Sequence, residues 1–143
     1  MINDLKNNFK KGNILTQLIY INIGVFICVK ITIVFAFLIN KSPWDIIHFF
    51  ALPAELNKLL QKPWALISYM FLHEGFLHIV FNLLWLYFSG KIFLQYLTNK
   101  QLLSTYILGG LAGAILYILI FNISPTFQPV LSKSVALGAS ASV

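Results

Sequence analysis

The sequence HEGFLHIVFN, at residues 73–82, decides how the rest of the chain is interpreted. It places two histidines, a glutamate and an asparagine in a strongly apolar part of the chain. Polar and ionisable side chains at membrane depth are costly, and they usually face a bundle interior or a water-filled cavity where they serve a function. These ten residues are therefore the first candidates for a functional site.

The composition around this stretch indicates an integral membrane protein. Of the 143 residues, 59% are hydrophobic and 10% are charged, whereas soluble domains are about 45–50% apolar and about 25% charged. Backbone groups in lipid must bond to one another, which leaves helices or closed barrels. Because the apolar runs are continuous rather than alternating, we predict an all-α polytopic membrane protein, a helical bundle of three transmembrane helices plus the start of a fourth.

The charge pattern indicates membrane topology rather than a nucleic-acid partner. The formal net charge is +6, and its positive side comes from lysine alone. Lys6, Lys10 and Lys11 precede the first apolar run, and Lys91 and Lys100 flank the connection between the next two. Lysines gather on the cytoplasmic side of spans, so we expect a cytoplasmic N-terminus in a bacterial inner membrane.

Three spans are predicted, over residues 14–39, 75–96 and 103–121, because a span needs about 20 mostly apolar residues. Residues 1–12 would form a cytoplasmic N-terminal segment, and residues 13–143 a partial membrane domain.

The connections and a few single residues complete this prediction. We expect a long, partly embedded loop over residues 40–65, and a fourth helix starting near Val135. Lys30 would extend from the first helix to the headgroups. Gly109 and Gly113, spaced for close helix packing, are expected to be structural. Cys28, the only cysteine, is expected to be a buried free thiol.

Helical geometry places the polar residues of the opening stretch. At about 100° per residue, His78 and Asn82 lie one turn apart on one face, and Trp85 and Ser89 extend that stripe. His73 would fall on the side opposite Asn82 if the helix were continuous. We therefore expect the helix to begin near Gly75 and His73 to lie in the segment before it, bent back towards the other two.

Three kinds of chemistry fit these residues. A zinc site of the H-E-x-x-H type needs histidines four apart, whereas His73 and His78 are five apart, about 140° around a helix. Nucleophilic catalysis would use Ser140, at a junction where free backbone N–H groups could stabilise an oxyanion, although Ser142 replaces the final glycine of a nucleophile elbow. Alternatively, the polar residues only join helices.

Taken together, two separated stretches resemble the rhomboid family of intramembrane serine proteases. The spacing of His73, His78 and Asn82, continued by Leu-Leu-Trp, is similar to that family's pattern. Gly-Ala-Ser-Ala at residues 138–141 resembles its nucleophile motif, two helices further along. The long embedded loop and the glycine-rich third helix also fit. The resemblance covers roughly residues 60–143.

The resemblance implies a serine endopeptidase that cleaves membrane-anchored proteins within or near the bilayer. Ser140 would be the nucleophile, and Asn82 and His78 would form the oxyanion hole with the backbone N–H of Ser140. His73 would shape the site, and Gly138 would allow close packing at the nucleophile. The implied partners are transmembrane protein substrates and the lipid bilayer, without nucleic acid, metal or organic cofactor. The resemblance does not fix the oligomeric state.

Two departures from the family pattern qualify this expectation. Rhomboids use a histidine on a later helix as the base, and no histidine follows His78 here. The sequence is therefore expected to be a fragment or the product of a truncated gene, and the 143-residue chain to be inactive. The alternative is a catalytically inactive rhomboid-like protein or remnant that binds membrane clients. The family often has Trp-Arg where this chain has Trp64-Ala65, which puts loop anchoring by arginine in doubt.

Overall fold

Three long helices form the frame of the molecule. The computed structural model describes residues 9, 12–40, 42 and 44–142, without the side chains of residues 45 and 141; most of the predicted segment 1–12 lies outside this range. The helices are long and apolar enough to cross a membrane: α1 (Ile14–Leu38), α5 (Phe76–Tyr96) and α6 (Asn99–Ile123). The predicted integral membrane bundle is confirmed.

The helices run up, down and up, so the bundle has two distinct ends. At the proximal end α1 begins, α5 ends and α6 begins, and the backbone N–H of Ile14 donates to Asn99 Oδ1 across 3.4 Å. At the distal end α1 ends, α5 begins and α6 ends. Both HEGFLHIVFN and the segment after α6 lie at the distal end.

Capping residues explain where the long helices start. Asn13 Oδ1 accepts from the backbone N–H of Thr16 at the start of α1. Thr98 and Gln101 form a reciprocal capping box at the start of α6, which satisfies donors that otherwise have no partner. The sequence-based start of this helix at residue 103 was therefore wrong by four residues.

Close contacts between the long helices use small residues. A side-chain carbon added at Gly90 of α5 would meet Leu15 Cδ1 of α1 at 2.6 Å. Gly109 and Gly113 were predicted to form the close helix contact, but they are only half-buried. The buried face of α6 passes one residue further along, through Gly110 and Ala114.

Four short elements connect α1 to α5. In chain order these are α2 (Trp44–Phe50), β1 (Leu52–Pro53), α3 (Leu56–Gln61) and α4 (Ala65–Ser68), and a 3₁₀ turn follows at Tyr69–Phe71. A helix end leaves carbonyl groups without partners. Here Lys62 Nζ, Trp64 Nε1 and Ser68 Oγ donate to the last three carbonyls of α2, those of His48, Phe49 and Phe50. The loop is thus anchored without an arginine after Trp64.

A two-stranded antiparallel sheet joins this connection to the end of the chain. Leu52 of β1 pairs with Ala136, and Pro53 with Val135, in strand β2 (Val135–Ala136). The segment expected to turn helical at Val135 therefore makes a strand first. Helical geometry appears only as a single 3₁₀ turn at Ala139–Ala141. The strand pair places this turn beside the start of α5.

Much of the surface of the spans is apolar, as expected for contact with lipid. Large hydrophobic side chains such as Ile31, Phe35 and Leu108 are exposed. Cys28 is also exposed rather than buried as predicted, since it lies on a face of α1 that no other helix covers. The buried core lies between the three helices and around the 3₁₀ turn at Tyr69–Phe71.

Candidate active site

The start of α5 positions the two histidines of the opening stretch. Gly75 is the N-cap residue in an extended conformation, and the helix begins at Phe76, as predicted. His73 therefore lies before the helix, and its ring lies edge-on to that of His78 with 5.3 Å between centroids. The Nδ1 of His73 is 3.2 Å from the carbonyl oxygen of Phe71, which orients the ring.

The surroundings of His73 favour its neutral form. Its side chain is 4% exposed. Burial lowers the pKa of His73 from 6.5 to about 4; the hydrogen bond to Phe71 opposes this and the charge of His78 adds to it. Near pH 7 the imidazole is therefore uncharged, with one ring nitrogen able to donate a hydrogen bond.

Gly138 brings the second motif against the first. Its φ of +119° is rarely adopted by other residues, and its N–H donates to the carbonyl of Tyr69 across 2.9 Å. A Cβ at this position would lie 2.9 Å from His78 Nε2 and 3.6 Å from Asn82 Nδ2. Only a residue without a side chain fits this close approach, so the two motifs that the sequence separates by more than 50 residues meet at Gly138.

Ser140 follows two residues later, in the 3₁₀ turn at Ala139–Ala141. Ala139 is 1% exposed and anchors the turn in the core, whereas Ser140 is exposed. Ser140 is thus exposed two residues after the glycine that contacts His78 and Asn82.

Buried nitrogens of this cluster lack hydrogen-bond partners. Asn82 Nδ2 and His73 Nε2 are enclosed, and neither has a partner among the residues that the structure describes. More than about 90% of buried polar groups are hydrogen-bonded in folded proteins, so exceptions require an explanation. A donor held unpaired beside Gly138 can stabilise an oxygen atom that becomes negative during a reaction.

The remainder of the predicted polar stripe on α5 is more exposed than Asn82. Trp85 and Ser89 are exposed, and Ser89 Oγ donates to the carbonyl of Trp85 within the helix. The buried line of α5 instead continues from Asn82 to Leu86. The uninterrupted helix keeps Trp85 and Ser89 on the face predicted for them, and Ser89 lines a small cavity together with Ser142.

Sequence reasoning missed two residues that hold the site in place. Lys30 was expected to reach the headgroups, but its Nζ donates to the carbonyl of Glu74 at 2.7 Å and lies over the ring of Phe26. Tyr69 accepts from Gly138 and donates its hydroxyl to the carbonyl of Gly110 at 2.5 Å. Lys30 could have been identified from the sequence, because a charged residue within a span is unusual. No local sequence pattern identifies Tyr69.

A cavity of about 430 Å³ adjoins the two rings. Its polar lining comprises His48, His73, Glu74 and His78, and its apolar lining includes Trp44 and Leu137. No group of three or more histidine, cysteine, aspartate or glutamate side chains suited to a metal ion occurs within the described residues. The cavity can hold part of a peptide or water next to His78.

Comparison with known families identifies the group to which this arrangement belongs. The sequence model of the rhomboid domain matches residues 60–143, more than half of the chain. The chain belongs to the rhomboid family. No curated protein and no solved structure shows significant similarity to it. The matched residues of this rhomboid include both motifs and the two long helices between them.

Proposed function

We propose that this rhomboid is built as a serine endopeptidase that cleaves membrane-anchored proteins within or near the bilayer. The observation that carries the proposal is the position of Gly138. It lies against His78 and Asn82, two residues before the exposed hydroxyl of Ser140. An accessible nucleophile next to a buried unpaired donor is the arrangement that acyl transfer from a peptide requires.

The roles follow from the chemistry of peptide cleavage. Ser140 Oγ attacks the scissile carbonyl carbon, and the carbonyl oxygen becomes negative. Asn82 Nδ2, the His78 ring and the Ser140 backbone N–H donate to that oxygen. One such donor is typically worth about 10²–10³-fold in kcat. His73 holds the ring of His78, and Gly138 permits the close contact.

The proton of Ser140 needs an acceptor, because a serine hydroxyl is a weak nucleophile without a base. His73 and His78 are the nearest histidines in sequence, and both precede Ser140. We assign them to the oxyanion side of the site, so neither is the base. The acceptor of this proton is therefore not assigned to a histidine of the printed sequence.

The substrates that suit this site are transmembrane proteins. The site includes the start of α5, at the distal end of the bundle, where a peptide that leaves a bilayer would meet water. The lysines before α1 favour a cytoplasmic N-terminus, so the proposed site would face the extracytoplasmic side of a bacterial inner membrane.

The test compares the 143-residue chain with the longest product of the reading frame that encodes it. Each is reconstituted with a single-span reporter protein, and cleavage is measured. If the frame continues into apolar segments that carry a histidine, the longer product should cleave. Ser140→Ala should lower that cleavage by at least about 10³-fold and Asn82→Ala by about 10²–10³-fold. Ser142→Ala is the matched control and should retain activity.

Two results would count against the proposal. Cleavage that survives Ser140→Ala would remove the nucleophile assignment. A frame that supplies no histidine, together with binding of the reporter without cleavage, would favour the second candidate, an inactive rhomboid that binds membrane clients.

A further inference from the structure

A second cavity lies at the proximal end of the bundle, away from the candidate active site. It has a volume of about 460 Å³, within the range of about 300–1,000 Å³ typical of ligand sites. It lies between the first two turns of α1 and the last three turns of α5. Six polar or aromatic side chains line it: Asn13, Thr16, Tyr20, Tyr87, Lys91 and Gln95.

The position of this proximal cavity matches the boundary between lipid and water. Asn13 caps the start of α1, and Gln95 is one residue from the end of α5. The cavity also has apolar lining residues, among them Leu15 and Leu94. Tyrosine is enriched where a membrane surface meets water, and Tyr20 and Tyr87 provide it on both helices. The lining thus contains polar side chains that suit a lipid headgroup and apolar side chains that suit its acyl chains.

The positive charge at this cavity has no carboxylate partner among the residues that the structure describes. Lys91 Nζ lies 5.8 Å from the centre of the Tyr87 ring, and it forms no salt bridge with any residue in the described ranges. The sequence contains no aspartate or glutamate between residues 5 and 44 or after residue 74. Neither helix that forms the cavity therefore offers a carboxylate to Lys91.

The start of α1 adds to this positive potential. The aligned peptide dipoles of a helix give its start a partial positive charge that favours anions. Lys6, Lys10, Lys11 and Lys100 lie near the same end in sequence, with Asp4 as the only acidic residue of the N-terminal stretch. An anionic group at the proximal cavity would meet the Lys91 ammonium of α5 and the partial positive charge at the start of α1.

We propose that the proximal cavity binds the headgroup phosphate of one anionic phospholipid. Lys91 pairs with the phosphate, Tyr20 and Gln95 offer donors to its ester oxygens, and the acyl chains leave along Leu15 and Leu94. A lipid fits better than free phosphate because three lining residues, Leu15, Ile19 and Leu94, are apolar and suit acyl chains. This proposal is independent of the proposed protease function, because no residue of the candidate active site takes part.

The test is native mass spectrometry of the purified 143-residue chain in a neutral detergent. The chain is titrated with phosphatidylglycerol and, separately, with phosphatidylcholine that carries the same acyl chains. We expect one phosphatidylglycerol to bind at least about fivefold more tightly, since a lysine near an anionic lipid contributes about that factor. This comparison uses the wild-type protein and does not depend on the folding of any variant.

Variants then locate the site. Lys91→Gln should lower phosphatidylglycerol affinity by about fivefold and leave phosphatidylcholine binding unchanged, while Lys91→Arg should restore the preference. Lys100→Gln removes the same charge from the same end without lining the cavity, and it should have little effect.

Three outcomes would overturn the proposal. Equal affinity for the two lipids would show that the cavity does not select an anion. An equal loss in Lys91→Gln and Lys100→Gln would assign the effect to general surface charge. Displacement of the lipid by inorganic phosphate at matched concentration would make this a site for free phosphate rather than for a lipid.

Discussion

Two asparagines are buried in this bundle, and they are used differently. Asn22 of α1 is fully buried, and its Nδ2 donates to the carbonyl of Leu18 at 2.8 Å and to the hydroxyl of Tyr106 at 3.4 Å. Asn82 of α5 is 8% exposed, and its Nδ2 has no partner among the described residues. The first donor joins α1 to α6, whereas the second remains available beside Gly138.

The comparison shows why burial alone does not identify a functional residue. An amide in the bilayer usually bonds to a neighbouring helix, as Asn22 does through its donor, although its Oδ1 has no partner within the described residues. The surroundings of Asn82 differ in what they contain: two histidines, a glycine with positive φ and an accessible serine. Variants that change the surroundings of Asn22 or of Asn82 can therefore test whether the two asparagines have different roles.

The largest expected difference is in pH dependence. Because the pKa of His73 falls from 6.5 to about 4 on folding, the unfolded chain binds more protons between these values. The contribution of neutral His73 to the free energy of unfolding is fully present above pH 6.5. It declines by about 3 kcal/mol as the pH falls towards 4, at 1.36 kcal/mol per pKa unit. The surroundings of Asn22 contain no histidine or carboxylate among the described contacts, so they add no such dependence.

Unfolding by sodium dodecyl sulfate at pH 4 to 7 in mixed micelles measures this effect. His73→Gln should remove most of the pH dependence, and the matched control His48→Gln, at an exposed histidine, should retain it. If the free energy of unfolding of His73→Gln depends on pH as strongly as that of the wild type, His73 is not the source of the pH dependence.

The second prediction concerns the contact that joins the two motifs. Gly138→Ala should lower the free energy of unfolding by about 2 kcal/mol, because a positive φ is strained for alanine and its Cβ would lie 2.9 Å from the His78 ring. Gly24→Ala is the matched control, since nothing lies within 4 Å of a Cβ there and alanine favours a helix. Equal losses of stability in the two variants would mean that the Gly138 contact is not required for folding.

The sequence predicted the parts of this site that depend on local geometry. The angle between His73 and Asn82 on a helix placed His73 before α5, and Gly75 marked the start of that helix; both agree with the structure. The start of α6 was missed although Thr98 and Gln101 have the spacing of a capping box. The polar residues after Thr98 were interpreted as a loop, so an available local signal was overlooked.

Other features could not be predicted, because they depend on contacts between distant residues. The pairing of β1 with β2 involves two residues on each strand, more than 80 positions apart, and leaves no periodic pattern. The bond from Lys30 to the carbonyl of Glu74 uses a backbone acceptor, which every residue has. The roles of Ser140, His78 and Asn82 stay predictions until activity is measured.

The third prediction exchanges each buried amide for an apolar side chain of similar size. Asn22→Leu should cost about 1–2 kcal/mol, because it leaves the buried hydroxyl of Tyr106 without its partner. Asn82→Leu should change stability by less, since the Nδ2 that it removes has no partner to lose. The same detergent unfolding assay measures both variants. Adding Tyr106→Phe to Asn22→Leu should recover part of the loss, whereas equal losses in the two single variants would abolish the distinction.

The smallest expected effect is local and concerns Lys30. The Nζ of Lys30 holds the carbonyl of Glu74 at 2.7 Å, one residue before the N-cap of α5. Lys30→Met should raise amide hydrogen exchange at residues 73–77 by about fivefold, equivalent to about 1 kcal/mol, and leave exchange around Asn22 unchanged. Lys30→Arg should behave like the wild type because it keeps a charged donor, and Lys133→Met, at an exposed lysine, controls for loss of charge. If exchange rises equally at residues 73–77 and around Asn22, Lys30 stabilises the bundle as a whole. If it rises only at residues 73–77, Lys30 positions the segment that carries His73.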